Sequence, residues 1–245
     1  MSLFRRKISK SKSVKSVIPP CSVVIAAAGS SARMGGEDKL FSVLSGAPVL
    51  AHTLRAYQRC ERVSEIIIVA RVDMVERIAG ICNDYGIGKA AKIIVGGEVR
   101  SDSVRNGVFA VSESAGLIAI HDGARPCIDA KVIANAIDAA AKHYAAVPAI
   151  PVSSTVKRAA DGIVTETVSR EGLFEIQTPQ VFDADLIKAA LTNAGKKQIE
   201  ITDDCMAVEL LGAPVYITEG SRCNIKITTQ EDLVMAEAII GSSRE

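Results

Sequence analysis

Short apolar runs alternate with segments of helical length through residue 150 of the chain. The runs occupy positions 22–28, 65–70, 91–95, 117–120 and 145–150. Between them, apolar residues recur at helical spacing, for example at Val132, Ile133, Ala136 and Ile137. Strands that are apolar along almost their whole length are typical of a parallel sheet, because right-handed crossovers cover both of its faces with helices. The pattern predicts an α/β fold with a mainly parallel sheet.

The alternation stops after position 150. Two short β-prone runs, 153–158 and 163–168, flank Asp161-Gly162, a dipeptide typical of a hairpin turn. Because a lone hairpin leaves its apolar residues uncovered, we expect an arm over about 151–172 that packs against a second subunit and forms a homodimer. The remaining pattern predicts helices at 183–193, 203–211 and 229–240, the last with Thr229 as its N-cap, and a strand at 214–218.

Length and charge limit the classes of protein that fit. The 245 residues suit one large domain, which we place at 21–245. A formal net charge of +1 argues against a nucleic-acid-binding surface. Positions 1–20 carry basic residues and serines without an acid, which predicts a disordered basic tail, with an organelle-targeting segment as the less favoured alternative. The last predicted helix ends close to the final residue, so we expect no second catalytic domain.

The cysteines and the apolar content favour a cytoplasmic protein. The 6 cysteines are scattered, without a C-x-x-C pair or a histidine at zinc-ligand spacing, so we expect reduced thiols. The 3 histidines are too dispersed to predict a metal cluster. No apolar run approaches the ~18 residues of a membrane span, and no secretion signal is evident. We therefore expect neither a membrane nor a nucleic-acid partner.

The loop after the first predicted strand is rich in small residues and contains two cations. Positions 26–39 read A-A-A-G-S-S-A-R-M-G-G-E-D-K. Loops at the carboxyl ends of parallel strands bind ligands, and small residues let backbone N–H groups approach phosphate oxygens. Arg33 and Lys39 suit the charge that develops when an α-phosphate is attacked and pyrophosphate leaves. The loop matches neither a P-loop nor a dinucleotide fingerprint, and a glycine-rich turn with solvated charges is the alternative.

Later polar residues have both a functional and a structural interpretation. Asp122 follows the fourth predicted strand, where its carboxylate could bind Mg²⁺ with triphosphate oxygens or could simply cap a turn. Arg170 combined with threonine hydroxyls suits a phosphate monoester, although a solvated charge beside Glu171 is the alternative. Thr202 could serve as a helix N-cap. Lys226 is predicted to lie in a strand, pointing away from its two apolar neighbours and towards phosphate.

Several motifs occur in a recognisable order between about 22 and 240. They are the loop at 26–39, G-G-E-V-R-S-D-S-V at 96–104, H-D-G-A-R-P at 121–126, Q-T-P-Q at 177–180, I-T-D-D at 201–204 and N-I-K-I-T at 224–228. Together they resemble the 2-C-methyl-D-erythritol 4-phosphate cytidylyltransferases. The resemblance implies a single Rossmann-like nucleotidyltransferase domain with a protruding dimerisation arm. It also implies transfer of CMP from CTP to 2-C-methyl-D-erythritol 4-phosphate, with release of pyrophosphate, in non-mevalonate isoprenoid synthesis in the bacterial cytoplasm.

The resemblance also implies roles for individual residues. It assigns catalysis to Arg33, Lys39 and Lys226. It assigns CTP binding to Ala27, Ala28, Gly29, Gly97, Ser103, Asp122 and Gly123. It assigns the polyol phosphate to Asp122, Arg125, Thr155, Arg170, Thr178 and Thr202, with Thr155 and Arg170 supplied by the neighbouring subunit's arm. Asp122 is the implied ligand of Mg²⁺ or another divalent cation.

The chain departs from the family pattern beside Lys39 and Asp122. Asp38 and Leu40 stand where the family often has proline and glutamine, and Gly123 stands where alanine is common. The nearest alternative is a ribitol 5-phosphate cytidylyltransferase, which would use the same phosphate-binding residues. A non-catalytic nucleotide-binding module and a nicotinamide oxidoreductase are more distant alternatives. The three retained cations disfavour the former, and the missing G-x-G-x-x-G disfavours the latter.

Overall fold

The structure is a computed structural model that describes residues 18–29 and 38–242. Most of the predicted basic tail, positions 1–17, and Arg33 lie outside the described residues. The strands are β1 (Cys21–Ala27), β2 (Val43–Leu44), β3 (Ala47–Pro48), β4 (Val63–Ala70), β5 (Ala90–Val95), β6 (Leu117–Asp122), β7 (Ala145–Pro151), β8 (Val156–Ala160), β9 (Ile163–Val168), β10 (Phe174–Ile176), β11 (Gln180–Asp183) and β12 (Tyr216–Glu219). The helices are α1 (Val49–Arg59), α2 (Val75–Asp84), α3 (Arg100–Ala110), α4 (Ala130–His143), α5 (Ala184–Lys196), α6 (Asp204–Glu209) and α7 (Gln230–Ser242).

The central sheet is mainly parallel, as the alternating pattern predicts. Its order is β10-β7-β11-β6-β1-β4-β5, with β12 added on β7. β1 lies between β4 and β6 and pairs with both in parallel. The five predicted strands are confirmed as β1, β4, β5, β6 and β7. The sequence pattern missed β10 and β11, which pair antiparallel with their neighbours and are too short for a periodic signal.

Helices cover both faces of the sheet. Val23 and Ile25 of β1 pack in one apolar cluster with α1, α2 and α4, whereas Val24 packs in a second cluster with α3 and α5. This division follows from the alternation of side chains along a strand. The three residues are fully buried, as are Ile133 and Ile137 on the predicted face of α4. Burial on both faces holds the carboxyl ends of the parallel strands together at one edge.

The predicted hairpin is present as β8 and β9, which form a separate two-stranded antiparallel sheet. Its turn residues Asp161 and Gly162 have φ of 51° and 79°, the positive values that such a tight turn needs. Ile163 and Val164 are 70% and 58% exposed. The hairpin is therefore confirmed, and its role in forming a dimer stays a prediction.

The carboxyl-terminal elements follow the predicted order with one correction. Thr229 caps α7 as predicted: its hydroxyl accepts the Asp232 N–H at 3.4 Å, while the Asp232 carboxylate accepts the Thr229 N–H at 2.9 Å. The strand predicted around Lys226 is wrong. That residue lies in an irregular segment, tied by the Ile227 N–H to the Ala124 carbonyl at 2.9 Å. Among the described helices, none has the length and apolar character needed to cross a membrane.

Candidate active site

A cleft of about 440 Å³ opens at the carboxyl ends of β1, β4, β5 and β6. Eight predicted site residues lie along its walls. They are Ala27, Ala28, Gly29, Lys39, Gly97, Ser103, Asp122 and Lys226. The parallel sheet brings together the residues that lie at the ends of β1, β5 and β6, because all its parallel strands end at this edge. Lys226 reaches the cleft from an irregular segment instead.

Asp122 is the centre of the charged part of the cleft. It ends β6, is 7% exposed, and its Oδ2 atom accepts from Arg125 Nε at 3.0 Å and lies 3.1 Å from Lys226 Nζ. Burial acts to raise the pKa of Asp122, but the charges of Lys226, Arg125 and Arg100 outweigh it and hold the pKa well below the usual range. Asp122 is therefore ionised at neutral pH.

The segment that carries Lys226 is fixed by its neighbours rather than by a strand. Arg125 Nη1 donates to the Asn224 carbonyl at 2.8 Å. The Asn224 side-chain amide donates to the Thr178 carbonyl at 2.9 Å, and the Gln177 side chain exchanges hydrogen bonds with the Ser221 backbone. The Q-T-P-Q motif thereby braces the chain that presents the lysine.

Thr178 lies behind Asp122 rather than along the cleft. It is 5% exposed, and its hydroxyl accepts the Asp122 N–H at 3.3 Å. The same hydroxyl is hydrogen-bonded to His121 Nδ1, 2.9 Å away. Burial lowers the pKa of His121 to about 3, so the ring is neutral. In this arrangement Thr178 holds the backbone of Asp122, and its predicted contact with substrate stays a prediction.

A second wall of the cleft is formed by the backbone of Gly96 and Gly97 together with Ser103, where there is no room for a larger side chain at Gly96. The Gly97 N–H donates to Ser103 Oγ at 3.0 Å. A Cβ added at Gly96 would lie 2.6 Å from that oxygen and 2.8 Å from the Ala28 Cβ. Glycine lets the two loops approach each other closely here. The wall thus offers backbone groups and a nearly buried hydroxyl to a flat ligand such as a nucleobase.

The sequence analysis missed an ion pair that joins this wall to α6. Arg100 lines the cleft and donates both Nη atoms to the Asp204 carboxylate, at 3.1 and 2.9 Å, and Asp204 is fully buried. Gln180 accepts the Asp204 N–H and donates to Asp203, each at 3.0 Å. All four residues stand inside the motifs at 96–104, 177–180 and 201–204. Their pairing spans long sequence distances, so spacing alone could not reveal it.

Besides Thr178, the predicted substrate residues Thr155, Arg170 and Thr202 lie apart from the walls of this cleft. Thr155 and Arg170 are exposed at the base of the arm, where an Arg170 Nη atom donates to the Ser153 carbonyl. Thr202 is exposed and does not cap α6, because Asp203 accepts the Met206 N–H at 3.0 Å and is the N-cap. Within the described ranges, no group of three or more metal-binding side chains is present.

A sequence profile described as 2-C-methyl-D-erythritol 4-phosphate cytidylyltransferase matches residues 21–242. The chain belongs to this family. The relative of that name from Halalkalibacterium halodurans is 46% identical over 220 residues, which cover 89% of this chain and 96% of the relative. A second, from Dehalococcoides mccartyi, is 44% identical over 222 residues, which cover 90% of this chain and 96% of the relative.

Solved structures of this cytidylyltransferase family are also similar. 4-Diphosphocytidyl-2C-methyl-D-erythritol synthase from Anaerococcus prevotii matches with a TM-score of 0.81 and 32% identity, covering 91% of this chain and 96% of that one. The cytidylyltransferase from Thermus thermophilus matches with a TM-score of 0.76 and 32% identity, covering 89% and 98%. The chain is accordingly a nucleotidyltransferase, and the two non-transferase alternatives are set aside.

The departures from the cytidylyltransferase pattern have structural explanations. Leu40 is 3% exposed and packs in the apolar core beneath the cleft, which suits leucine. A Cβ at Gly123 would lie 3.2 to 3.3 Å from Ala26 O, Leu40 Cδ2 and Leu50 Cδ1. The turn after Asp122 is therefore crowded, as expected. Because Leu40 lies so close, glycine at position 123 leaves room for its side chain.

Proposed function

We propose that this cytidylyltransferase transfers CMP from CTP to 2-C-methyl-D-erythritol 4-phosphate, giving 4-diphosphocytidyl-2-C-methyl-D-erythritol and pyrophosphate for isoprenoid precursor synthesis. The observation that carries the proposal is a cleft that Lys39 and Lys226 line together with the glycine-rich wall and an ionised Asp122. Cations and an acidic residue at the carboxyl edge of a parallel sheet suit a triphosphate and its metal. Family membership supplies the identity of the substrates.

The proposed step is a direct in-line displacement. A phosphate oxygen of the acceptor bonds to the α-phosphorus of CTP as the bond to the bridging oxygen of the β-phosphate breaks. Lys39, Lys226 and Arg33, the last outside the described residues, would neutralise the charge on the transferring phosphoryl group and on the leaving pyrophosphate. Ser103 and Gly97 would hold the base, with Ala27, Ala28, Gly29 and Gly123 around the nucleotide. A phosphate monoester is largely ionised at neutral pH, so no general base is needed.

We propose that Asp122 is the protein ligand of Mg²⁺ or another divalent cation. The donor set fits this ion: Oδ2 accepts from both cations, which leaves Oδ1 outside these two contacts on a carboxylate that lines the cleft. Mg²⁺ commonly takes one or two carboxylates and completes its shell with substrate phosphates and water. When bound, the ion would offset negative charge on the triphosphate.

We propose that the acceptor, 2-C-methyl-D-erythritol 4-phosphate, is held by Arg125, Asp122, Thr155, Arg170, Thr178 and Thr202. Thr155 and Arg170 would come from the arm of a second copy of the chain. Two observations support this division. Both residues are exposed at the base of the arm, and neither lines the cleft of its own chain. A guanidinium with nearby hydroxyls suits a dianionic phosphate.

Pyrophosphate release tests the proposed reaction. We expect release to require CTP, Mg²⁺ and 2-C-methyl-D-erythritol 4-phosphate, to stop when the metal is chelated, and to fall about 100-fold or more in Lys39→Ala, which loses one cation facing the triphosphate. Ribitol 5-phosphate in place of the methylerythritol substrate is the matched comparison. A preference for ribitol 5-phosphate would assign the chain to the alternative, and no release with either acceptor would contradict the proposal.

If the arm forms the proposed homodimer, introducing charged residues on its apolar surface should dissociate the dimer. Replacing both Ile163 and Val164 with glutamate should convert a dimer to a monomer in analytical ultracentrifugation and reduce activity, because the acceptor site would lose residues from the second copy. Val234→Glu is the control, since Val234 is 72% exposed but lies on α7. A wild-type chain that is monomeric at assay concentration and fully active would contradict the prediction.

We propose a cytoplasmic location. All 6 cysteines have free thiols, and Cys21, Cys60 and Cys205 are buried. Free thiols are usual in a reducing compartment.

A further inference from the structure

Arg71, which follows β4, connects several parts of the chain through one guanidinium group. Its Nη1 atom donates to the Gly29 carbonyl at 3.0 Å and to Asp38 Oδ2 at 3.0 Å. Its Nε and Nη2 atoms donate to the two oxygens of Asp73, at 3.1 and 3.2 Å. Gly29 and Asp38 are the described residues on either side of positions 30–37. The Arg71 guanidinium therefore restrains the distance between Gly29 and Asp38.

Asp38 also restrains the backbone on both sides of Lys39. Its Oδ1 atom accepts the Leu40 N–H at 3.1 Å, and its carbonyl accepts the Phe41 N–H at 2.9 Å. These bonds form a turn with Lys39 as its second residue. The other carboxylate oxygen, Oδ2, binds Arg71. The Asp38 side chain is only 13% exposed, so the ion pair is shielded from solvent on the carboxylate side.

Leu40, the residue after Lys39, restrains the chain from the other side because it is buried in the core. Leu40 is 3% exposed in the core, and its N–H is the one that Asp38 accepts. Lys39 thus lies between the buried Leu40 and Asp38, and Asp38 forms an ion pair with Arg71, which follows β4. The aspartate that makes this pair stands where the family often has proline, which has neither a carboxylate nor a backbone N–H.

We propose that Arg71 is a positioning residue for Lys39, acting through Asp38, in the transfer reaction. The inference rests on the proposed function, since Lys39 is there the cation that faces the triphosphate. The hydrogen bonds from Arg71 to Gly29 and Asp38 keep the turn that contains Lys39 at a constant distance from the Gly29 backbone. The Lys39 amine is then already positioned to contact the phosphates when CTP binds. Ordering of this kind lowers the barrier because the charged group is already in place when negative charge develops.

A competing role for Arg71 is direct contact with the triphosphate, because the residue also lines the cleft. Its hydrogen bonds argue for positioning, since Nε, Nη1 and Nη2 all donate to protein oxygens, on Gly29, Asp38 and Asp73. The two roles differ in one measurable respect. A residue that acts through Lys39 loses its effect when Lys39 is removed, whereas a residue that binds phosphate itself does not.

The test is a set of variants assayed by pyrophosphate release. Arg71→Met keeps the aliphatic length and removes the guanidinium, and Asp38→Asn keeps the turn oxygen and removes the charge. We expect each to lower kcat about tenfold, because a charge-assisted hydrogen bond and the alignment it maintains are lost. The double variant should be no worse than the poorer single one. In a Lys39→Ala background, Arg71→Met should change kcat less than about twofold.

The control pair is Arg62 and Asp138, which form a two-bond ion pair, at 2.6 and 2.8 Å, that does not line the cleft. The side chains of Arg62 and Arg71 are similarly exposed, at 38% and 33%. Arg62→Met should leave kcat and both KM values unchanged. Thermal melting of every variant separates a loss of folding from a loss of positioning. If Arg71→Met lowers kcat equally with and without Lys39, Arg71 contacts the substrate and the positioning role is overturned.

A second measurement does not depend on turnover. Lysines labelled by reductive ¹³C-methylation give separate NMR signals, and the Lys39 signal is assigned by its absence in Lys39→Ala. We expect that signal to move in Arg71→Met and in Asp38→Asn but not in Arg62→Met. An unmoved signal overturns the positioning role whether or not the enzyme is active. An inactive wild-type enzyme whose signal does move would instead count against the proposed function alone.

Discussion

Replacing Asp122 with asparagine is expected to lower kcat about 1000-fold or more while leaving the fold intact. The asparagine has nearly the same shape, but it places no negative charge between Arg125 and Lys226, which both contact Oδ2 in the native protein. Without that charge the two cations repel each other, the lysine loses its anchor, and the proposed metal loses its protein ligand.

The measurement is pyrophosphate release over a range of Mg²⁺ concentrations, accompanied by thermal melting. If Asp122 binds the metal, the concentration required for half-maximal activity should also rise. Asp138→Asn is the matched control, since Asp138 forms an ion pair away from the cleft. A variant that keeps a tenth of the native kcat at saturating metal would rule out an essential role for this carboxylate.

Lys226→Met is expected to lower kcat about 100- to 1000-fold with a smaller effect on KM for CTP. Methionine keeps most of the side-chain length and removes the amine that lies 3.1 Å from Asp122. The side chain is 40% exposed, so its charge can turn towards bound phosphates while Asp122 limits where it goes. Because negative charge develops on the leaving pyrophosphate in the transition state, kcat should be affected more than KM.

Steady-state kinetics and CTP affinity measured without the acceptor separate the two effects. Lys142→Met is the control, because Lys142 lies in the last turn of α4, at the edge of the sheet opposite the cleft. If Lys226→Met weakens CTP binding but leaves kcat unchanged, Lys226 binds the ground state only, and its assignment as a catalytic residue would be wrong.

The structure changes the interpretation of Thr178 more than that of any other predicted residue. A threonine near a phosphate site invites the assignment of its hydroxyl to substrate. In the folded chain that hydroxyl is shared between the Asp122 N–H and the neutral ring of His121. A contact with the acceptor phosphate would require the hydroxyl to change one of these two hydrogen bonds. Holding the backbone of Asp122 is a sufficient explanation for its place in the motif.

The sequence by itself determined the elements whose signal is local. Apolar runs predict β1, β4, β6 and β7 because a strand buried on both faces has to be apolar along its length. The run at β5 is also apolar, although β5 lies at the edge of the sheet and is only partly buried. Asp161-Gly162 predicts the hairpin because few other residue pairs adopt two positive φ values without strain. Motifs placed directly after strands also predicted where Ala28, Gly29, Gly97 and Asp122 lie, since the edge at which parallel strands end is a property of the topology. Their roles in binding and catalysis stay predictions.

Tertiary structure alone decided the contacts between distant segments. Arg100 pairs with Asp204, and Arg71 with Asp38, across separations that no spacing rule covers. Lys226 needs no strand, because hydrogen bonds from Arg125 and the Q-T-P-Q motif hold its segment in place. Short strands such as β10 and β11 form because neighbouring strands offer them hydrogen-bond partners: β10 pairs with β7, and β11 lies between β6 and β7. A side chain's residue type limits which partners it can bind, but only the folded chain determines which of them lie within reach.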